Sequence, residues 1–342
     1  MGETKKKCIK IIAFCLIALM IFTLVFRILW ISYSSGSYRE FYKEEDNTAN
    51  VVLIGTSTIR RDWISLEAWR ETGYNYFAMC SVAQPLPLIK YLMIESEKTQ
   101  SPDLYVIDLR SMSLPGGSYV KSGDIRRVTD NMKISANRKA AIDDSLKFAG
   151  IKTSNGNRDY YFSFMYYHSM WKNISLSNIT RSSVYKGYCL DSVQTTSTAT
   201  TASAMGWDHN ATPTMPAINK KYFDELLSYI NSHKLKVLFL IPPMQFSEED
   251  SGRLAATVDY LKAKGYNIYD ANDHYAEMNI DFSKDFRNVH HMSQWGAQKF
   301  TKVFAKYITA HYNLTKHVNA SETAQWNKAY ADYESALKSR LK

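Results

Sequence analysis

The sequence predicts an α/β fold: a doubly wound parallel sheet covered by helices on both faces, preceded by one hydrophobic N-terminal helix. Three observations carry this. Five short, nearly continuous apolar runs recur along the chain, helical patterns separate them, and residues 11–33 form an apolar stretch interrupted only by Arg27. Strands buried on both faces read as unbroken hydrophobic runs, because neither face meets water. At 342 residues the chain is long enough for one sizeable domain of this kind.

The elements follow in order. "MGETKKKCIK" (residues 1–10) precedes "IIAFCLIALMIFTLVFRILWISY", whose length matches the ~20 residues that cross a bilayer as a helix. Lys5, Lys6, Lys7 and Lys10 predict a cytoplasmic N-terminus, so everything after Tyr33 is expected outside. No A-x-A cleavage site follows, so the segment reads as an uncleaved signal anchor in the plasma membrane, single-pass, with Arg27 snorkelling beside Trp30 and Tyr33. Residues 34–49, rich in polar groups, read as a linker. The main domain is expected over residues 50–313. Its strands are Asn50–Gly55, Tyr74–Met79, Asp103–Leu109, Lys236–Pro242 and Tyr266–Ala271. Before the fourth strand, Ile218, Tyr222, Leu226, Tyr229 and Ile230 recur at helical spacing. The segment from about Met112 to Thr214 is rich in Ser, Thr, Asn and Tyr and lacks a clear period. It reads as an inserted lid over the carboxyl edge of the sheet, where such folds bind ligands. His168, Trp171 and the "YKGY" at Tyr185–Tyr188 lie within it. Ser293 is placed to cap a last domain helix, and residues 314–342 read as a separate surface helix.

Charge and cysteine content narrow the function classes. The net charge of +9 is spread along the chain, with no basic stripe interleaved with aromatics, so no nucleic-acid partner is expected. The same balance suits anionic lipid or an anionic cell-wall polymer. No C-x-x-C and no His/Cys cluster is present, so no metal or cofactor is expected. Cys80 and Cys189 would face an oxidising compartment and are free to pair there.

The chemistry-bearing stretch is "VVLIGTSTIRRD", starting at Val51. A strand that ends on Gly-Thr-Ser serves a turn, a helix cap, a phosphate cradle or a nucleophile. A phosphate loop is excluded because no G-K-[ST] follows. As a nucleophile, Ser57 needs a base, since a serine hydroxyl is nearly inert at neutral pH. "DFRNVHHMSQWGAQKFT" supplies two histidines on the loop after the fifth strand. In a five-strand doubly wound sheet that loop lies near the one carrying Ser57.

These blocks resemble the SGNH (GDSL-like) hydrolase superfamily, particularly its membrane-anchored bacterial branch akin to the DltD-type proteins of teichoic-acid D-alanylation. "LIGTSTIR" matches the first block, "YNYFAMCSVAQP" the second, "PDLYVIDLR" the third strand and "HHMSQWGAQKFT" the terminal block, over roughly Asn50 to Tyr312. The resemblance implies a flavodoxin-like three-layer sheet and an O-acyltransferase or esterase acting on a cell-surface polysaccharide or teichoic-acid-like polymer. It also implies partnership with a membrane-bound O-acyltransferase. Carried over, Ser57 becomes the nucleophile and His291 the base, since "HMSQWGA" fits the family's H-x-N-x-x-G-A better than an alignment on His290. The family has an aspartate three residues before that histidine; here the position is Asn288, and Asp285 lies six before. Asn288 is therefore expected to orient His291, with Asp285 as the alternative. The second block lacks the family's glycine. Amides of Ser57 and of Cys80 or Ser81 are the expected oxyanion donors, with Gln84 and Arg110 as further substrate-contacting candidates. A second class of function, a catalytically degenerate glycan-binding or scaffold protein on the same fold, follows from the same two departures.

Overall fold

Five parallel strands form the centre of the chain: β1 (Val51–Gly55), β2 (Tyr76–Cys80), β3 (Leu104–Asp108), then, beyond the small antiparallel pair β4 (Val184–Tyr185) and β5 (Tyr188–Cys189), β6 (Val237–Ile241) and β7 (Asn267–Asp270). A second short pair, β8 (Phe286–Asn288) and β9 (His291–Met292), follows. The computed structural model describes residues 2–29, 36–173, 184–190, 201–316 and 319–340. Each of the five apolar runs forms its strand within one or two residues of the expected ends. Their spatial order is β2-β1-β3-β6-β7, all parallel, the 2-1-3-4-5 order of a doubly wound sheet. The order of winding reverses at β1, with β2 added on one side and β3 on the other, which places a crevice between β1 and β3 beyond their carboxyl ends.

Strand side chains alternate between two cores. Val52, Ile54, Tyr105, Ile107 and Phe239 face one side, under helices Leu88–Ser96, Ala136–Ala149, Ala217–Ser232 and Glu248–Ala263. Val51, Leu53, Leu104, Val106 and Leu238 face the other, under Ser57–Asp62, Ser65–Thr72, Gln294–His311 and Ala320–Arg340. The C-terminal helix is thus part of the second core rather than a separate surface element. Trp326 and Tyr333 are buried there, each contributing roughly 2–3 kcal/mol by the usual area scaling.

Two compact units are distinguished, Met1–Tyr33 with Thr153–Ser182, and Ser34–Lys152 with Ser183–Lys342. In the first, helix Glu3–Leu29 contains an exposed apolar span, Glu3–Phe26, long and apolar enough to cross a membrane. Trp30 and Tyr33 lie outside the described residues. The stretch 112–214 does not form one irregular insertion. Ser122–Thr129 and Ala136–Ala149 pack Val128, Ala141 and Phe148 into the first core, while His168 and Trp171 belong to the unit of the N-terminal helix. Tyr185–Tyr188 forms the tight turn of the β4–β5 hairpin, which bonds the free edge of β2 through Ala78 N to Lys186 O at 3.1 Å. Within residues 34–49, the helix Gly36–Phe41 docks rather than spaces. Ser37 Oγ donates to Ala78 O at 2.5 Å, and Tyr38 and Phe41 are buried.

Candidate active site

The site begins where β1 ends. Gly55 leaves no room for a side chain: a Cβ there would lie 2.6 Å from Asp108 Cβ, 2.9 Å from Asp108 Oδ2 and against Ile59. That closeness lets Asp108, the buried last residue of β3, grip the turn after β1. Its Oδ2 accepts from Thr56 N (3.0 Å), Thr56 Oγ1 (2.9 Å) and Thr58 Oγ1 (2.6 Å), and its Oδ1 from Arg110 N (2.7 Å). Four donors saturate the carboxylate and fix the helix Ser57–Asp62 on the crevice. Ser57 opens that helix, so its amide is one of the N–H groups with no intrahelical acceptor.

His291 arrives from the far end of the chain. Its Nε2 lies 2.9 Å from Ser57 Oγ, and its Nδ1 lies 3.1 Å from Asn288 Oδ1. The hydrogen-bond pattern assigns the tautomer. Asn288 Oδ1 also takes the backbone N–H of His290 at 2.9 Å, so the atom facing the ring is an acceptor. Nδ1 therefore carries the proton, Nε2 holds the lone pair, and the Ser57 hydroxyl donates to it. Burial first, then the charges of Arg61, His290, Arg287 and Arg110, lower His291 to about 3. The ring is neutral at physiological pH, the state a base requires.

Three contacts hold the histidine loop. Met292 N donates to Asp62 Oδ1 at 2.9 Å, tying β9 to the far end of the Ser57 helix. Gln245 N donates to Val289 O at 2.7 Å. Ser293 N donates to Asp285 O at 2.8 Å, and Ser293 Oγ caps the helix Gln294–His311 by accepting from Gly296 N at 3.3 Å. Asp62 is buried. Its Oδ2 has no hydrogen-bond partner among the described residues, and desolvation raises its pKa well above the carboxylate range.

Asp285 does not orient His291. It is buried, and its Oδ2 accepts from Asp281 N and Lys299 Nζ, both at 2.7 Å, which makes it the clamp of its own loop. The expected oxyanion amides of the second block are engaged: Cys80 N donates to Ser37 Oγ and Ser81 N to Gly55 O, each at 3.3 Å. Gln84 Oε1 accepts from Tyr38 OH at 2.7 Å, while its buried Nε2 has no acceptor among the described residues. The Arg110 guanidinium is held by Asp250 Oδ2 (2.6 Å) and Ser113 Oγ (3.0 Å), close enough for its charge to act on His291. Cys80 and Cys189 are both buried and unbridged, and burial pushes the Cys80 thiol up to about 12.

Asp108, Thr56, Thr58 and Asp62 were not singled out by the sequence. One signal pointed to the first: an acid that closes an otherwise apolar strand, as Asp108 does in "LYVID", needs a partner when buried. Among the described residues, His209, Asp270 and Asp273 bring potential metal-ligand atoms within 4.8 Å of one another. Asp270 is already occupied by Trp207 Nε1 and by Asn272, as expected of a hydrogen-bonded strand end. No protein-family model and no curated protein matches the chain.

Proposed function

We propose that the chain is a membrane-anchored, extracytoplasmic serine–histidine enzyme of SGNH type. It carries an acyl group on Ser57 and delivers it to a hydroxyl of a cell-surface polysaccharide or teichoic-acid-like polymer, or to water. The observation that carries this reading is the chain of contacts Ser57–His291–Asn288 at the carboxyl edge of the sheet. The basic N-terminus and apolar span supply the anchor and its orientation. A membrane-bound O-acyltransferase is the partner expected to load the acyl group.

The steps follow from the protonation states. Ser57 Oγ attacks the ester carbonyl carbon as its proton passes to His291 Nε2. The tetrahedral intermediate collapses when His291 returns that proton to the departing oxygen, leaving an acyl-serine ester. An acceptor hydroxyl, or water, then gives its proton to Nε2 and attacks the acyl carbon, and the proton returns to Ser57 Oγ. Asn288 holds the ring in the required tautomer but contributes no negative charge to the imidazolium. The Ser57 amide is the remaining donor for the oxyanion, since Gln84 is buried and held by Tyr38.

The direct test is capture of the nucleophile. The detergent-solubilised full chain, treated with a fluorophosphonate, will gain one phosphonyl adduct on the peptide holding Ser57, and Ser57→Ala will gain none. An unlabelled wild type under conditions that label a control serine hydrolase would return the reading to the scaffold alternative, which the engaged Cys80 and Ser81 amides favour.

The pH dependence has a definite sign. Catalysis needs neutral His291, and a lowered pKa keeps it neutral further into acid. Ester kcat/KM will therefore stay flat from pH 8 to below pH 6 and fall only as pH drops toward the lowered value. An acid limb centred near 6.5, the ordinary histidine value, would refute the desolvated ring.

A further inference from the structure

Exposed apolar surface outside the N-terminal helix is concentrated in one place. Among the described residues, the large hydrophobic side chains exposed there are Tyr119, Ile134, Phe162, Phe164, Met165, Tyr166 and Trp171, and five of these seven fall between residues 162 and 171. Phe162 is 64% and Trp171 61% exposed. Soluble proteins seldom leave so dense an aromatic group facing water unless something apolar covers it. The segment consists of short turns, Arg158–Tyr161, Phe164–Tyr167 and His168–Asn173. It does not span a bilayer by itself.

Its neighbours indicate what covers it. Phe164 packs on Phe22 with ring centroids 4.6 Å apart and on Phe26 at 6.1 Å, and Tyr167 meets Phe26 at 6.4 Å. Phe22 and Phe26 lie within the apolar span Glu3–Phe26. Counted from Lys10 at 1.5 Å per residue, they stand about 18 and 24 Å along the helix, against a hydrocarbon core of about 30 Å. The segment is therefore fastened to the helix in the half of the bilayer that holds the C-terminal end of the span. Its chemistry suits that depth. Tyr and Trp favour the headgroup boundary, and Lys172 lies over the Trp171 ring at 5.3 Å with its ammonium available to lipid phosphate.

We propose that Phe162–Trp171 is an interfacial membrane element whose exposed aromatic and methionine side chains insert among the lipids of the leaflet reached by the C-terminal end of the span. The proposal rests on the reading of Glu3–Phe26 as a transmembrane helix. It gives the unit two attachments to one membrane.

The test uses the full chain in nanodiscs of phosphatidylcholine with one-third phosphatidylglycerol, with Cys8 and Cys15 changed to serine. Spin labels are placed singly by Leu19→Cys, Met165→Cys and Ile134→Cys. The ratio of collisions with oxygen to collisions with a water-soluble nickel chelate will be at least tenfold higher at positions 19 and 165 than at 134, which is 91% exposed. A nickel-dominated label at 165 beside an oxygen-dominated label at 19 would overturn the proposal and leave the span standing. A nickel-dominated label at 19 would remove the span itself. A label at 165 shielded from both reagents would mean that protein, not lipid, covers the patch, and would also overturn it. Fluorescence quenching by brominated lipid, measured with no added cysteine, provides the second readout. Trp171→Phe will reduce the quenched fraction, and an unchanged fraction counts against insertion.

Discussion

Replacing His291 with alanine will lower hydrolysis of p-nitrophenyl acetate on the order of 10³-fold, and Ser57→Ala will lower it to the buffer rate. The hydroxyl donates to Nε2 at 2.9 Å, so removing the ring removes the proton acceptor in the first step and the proton donor in the second. Asn288 separates orientation from charge. Asn288→Ala will lose about 10²-fold, because the ring then has no fixed tautomer. Asn288→Asp retains an acceptor for both His290 N–H and His291 Nδ1–H and adds the negative charge that the site lacks. It will raise the rate and move the acid limb to higher pH, since a carboxylate beside the ring favours the imidazolium. The measurement is initial rate against pH for the four proteins. A His291→Ala rate within threefold of wild type would end the dyad mechanism, and an inert Asn288→Asp limb would show that the ring does not titrate with catalysis.

Gly55→Ala will destabilise the chain by about 3 kcal/mol, a fall of roughly 10 °C in melting temperature. The cause is space alone. The new Cβ would sit 2.6 Å from Asp108 Cβ and against Ile59, forcing β1 and β3 apart where Asp108 grips Thr56 and Thr58. Gly73→Ala is the matched control. Its φ is +75° but nothing lies within 4 Å of the added atom, so it pays only backbone strain, about 1 kcal/mol. Thermal unfolding of both variants in the same detergent separates steric from conformational cost. Equal melting temperatures for the two would mean that the strands yield and the clamp is soft. Fluorophosphonate labelling of Gly55→Ala should also slow, because the same displacement moves Ser57 from His291.

The layers of the sheet were legible because burial on both faces leaves an unmistakable trace: "VVLIG", "LYVID" and "VLFLI" contain no residue that water would favour except the closing aspartate. The pairing of Ser57 with His291 and the position of Asn288 were legible through motif order. What stayed hidden has a common physical origin. Asp108 and Thr58 are fifty residues apart and Asp108 and Thr56 fifty-two, and no local period reports a polar contact across two strands. Gly36–Phe41 is too short for periodicity, so its polar composition suggested a linker although Tyr38 and Phe41 are buried. The C-terminal helix carries its stripe at Trp326, Tyr330, Tyr333 and Leu337, but polar residues between them mask it in a composition-based reading. The engaged amides of Cys80 and Ser81 were beyond reach, since a backbone donor carries no sequence signature.

The Ser57 hydroxyl and the His291 imidazole that meets it are separated by 234 positions along the chain. At 5–20 residues per second, a ribosome needs roughly 10–50 s to pass from one to the other. During that interval a nascent chain has its serine but not the imidazole that would take its proton. On the proposed mechanism the site is complete only once the β8–β9 pair has been made and has closed against the turn after β1.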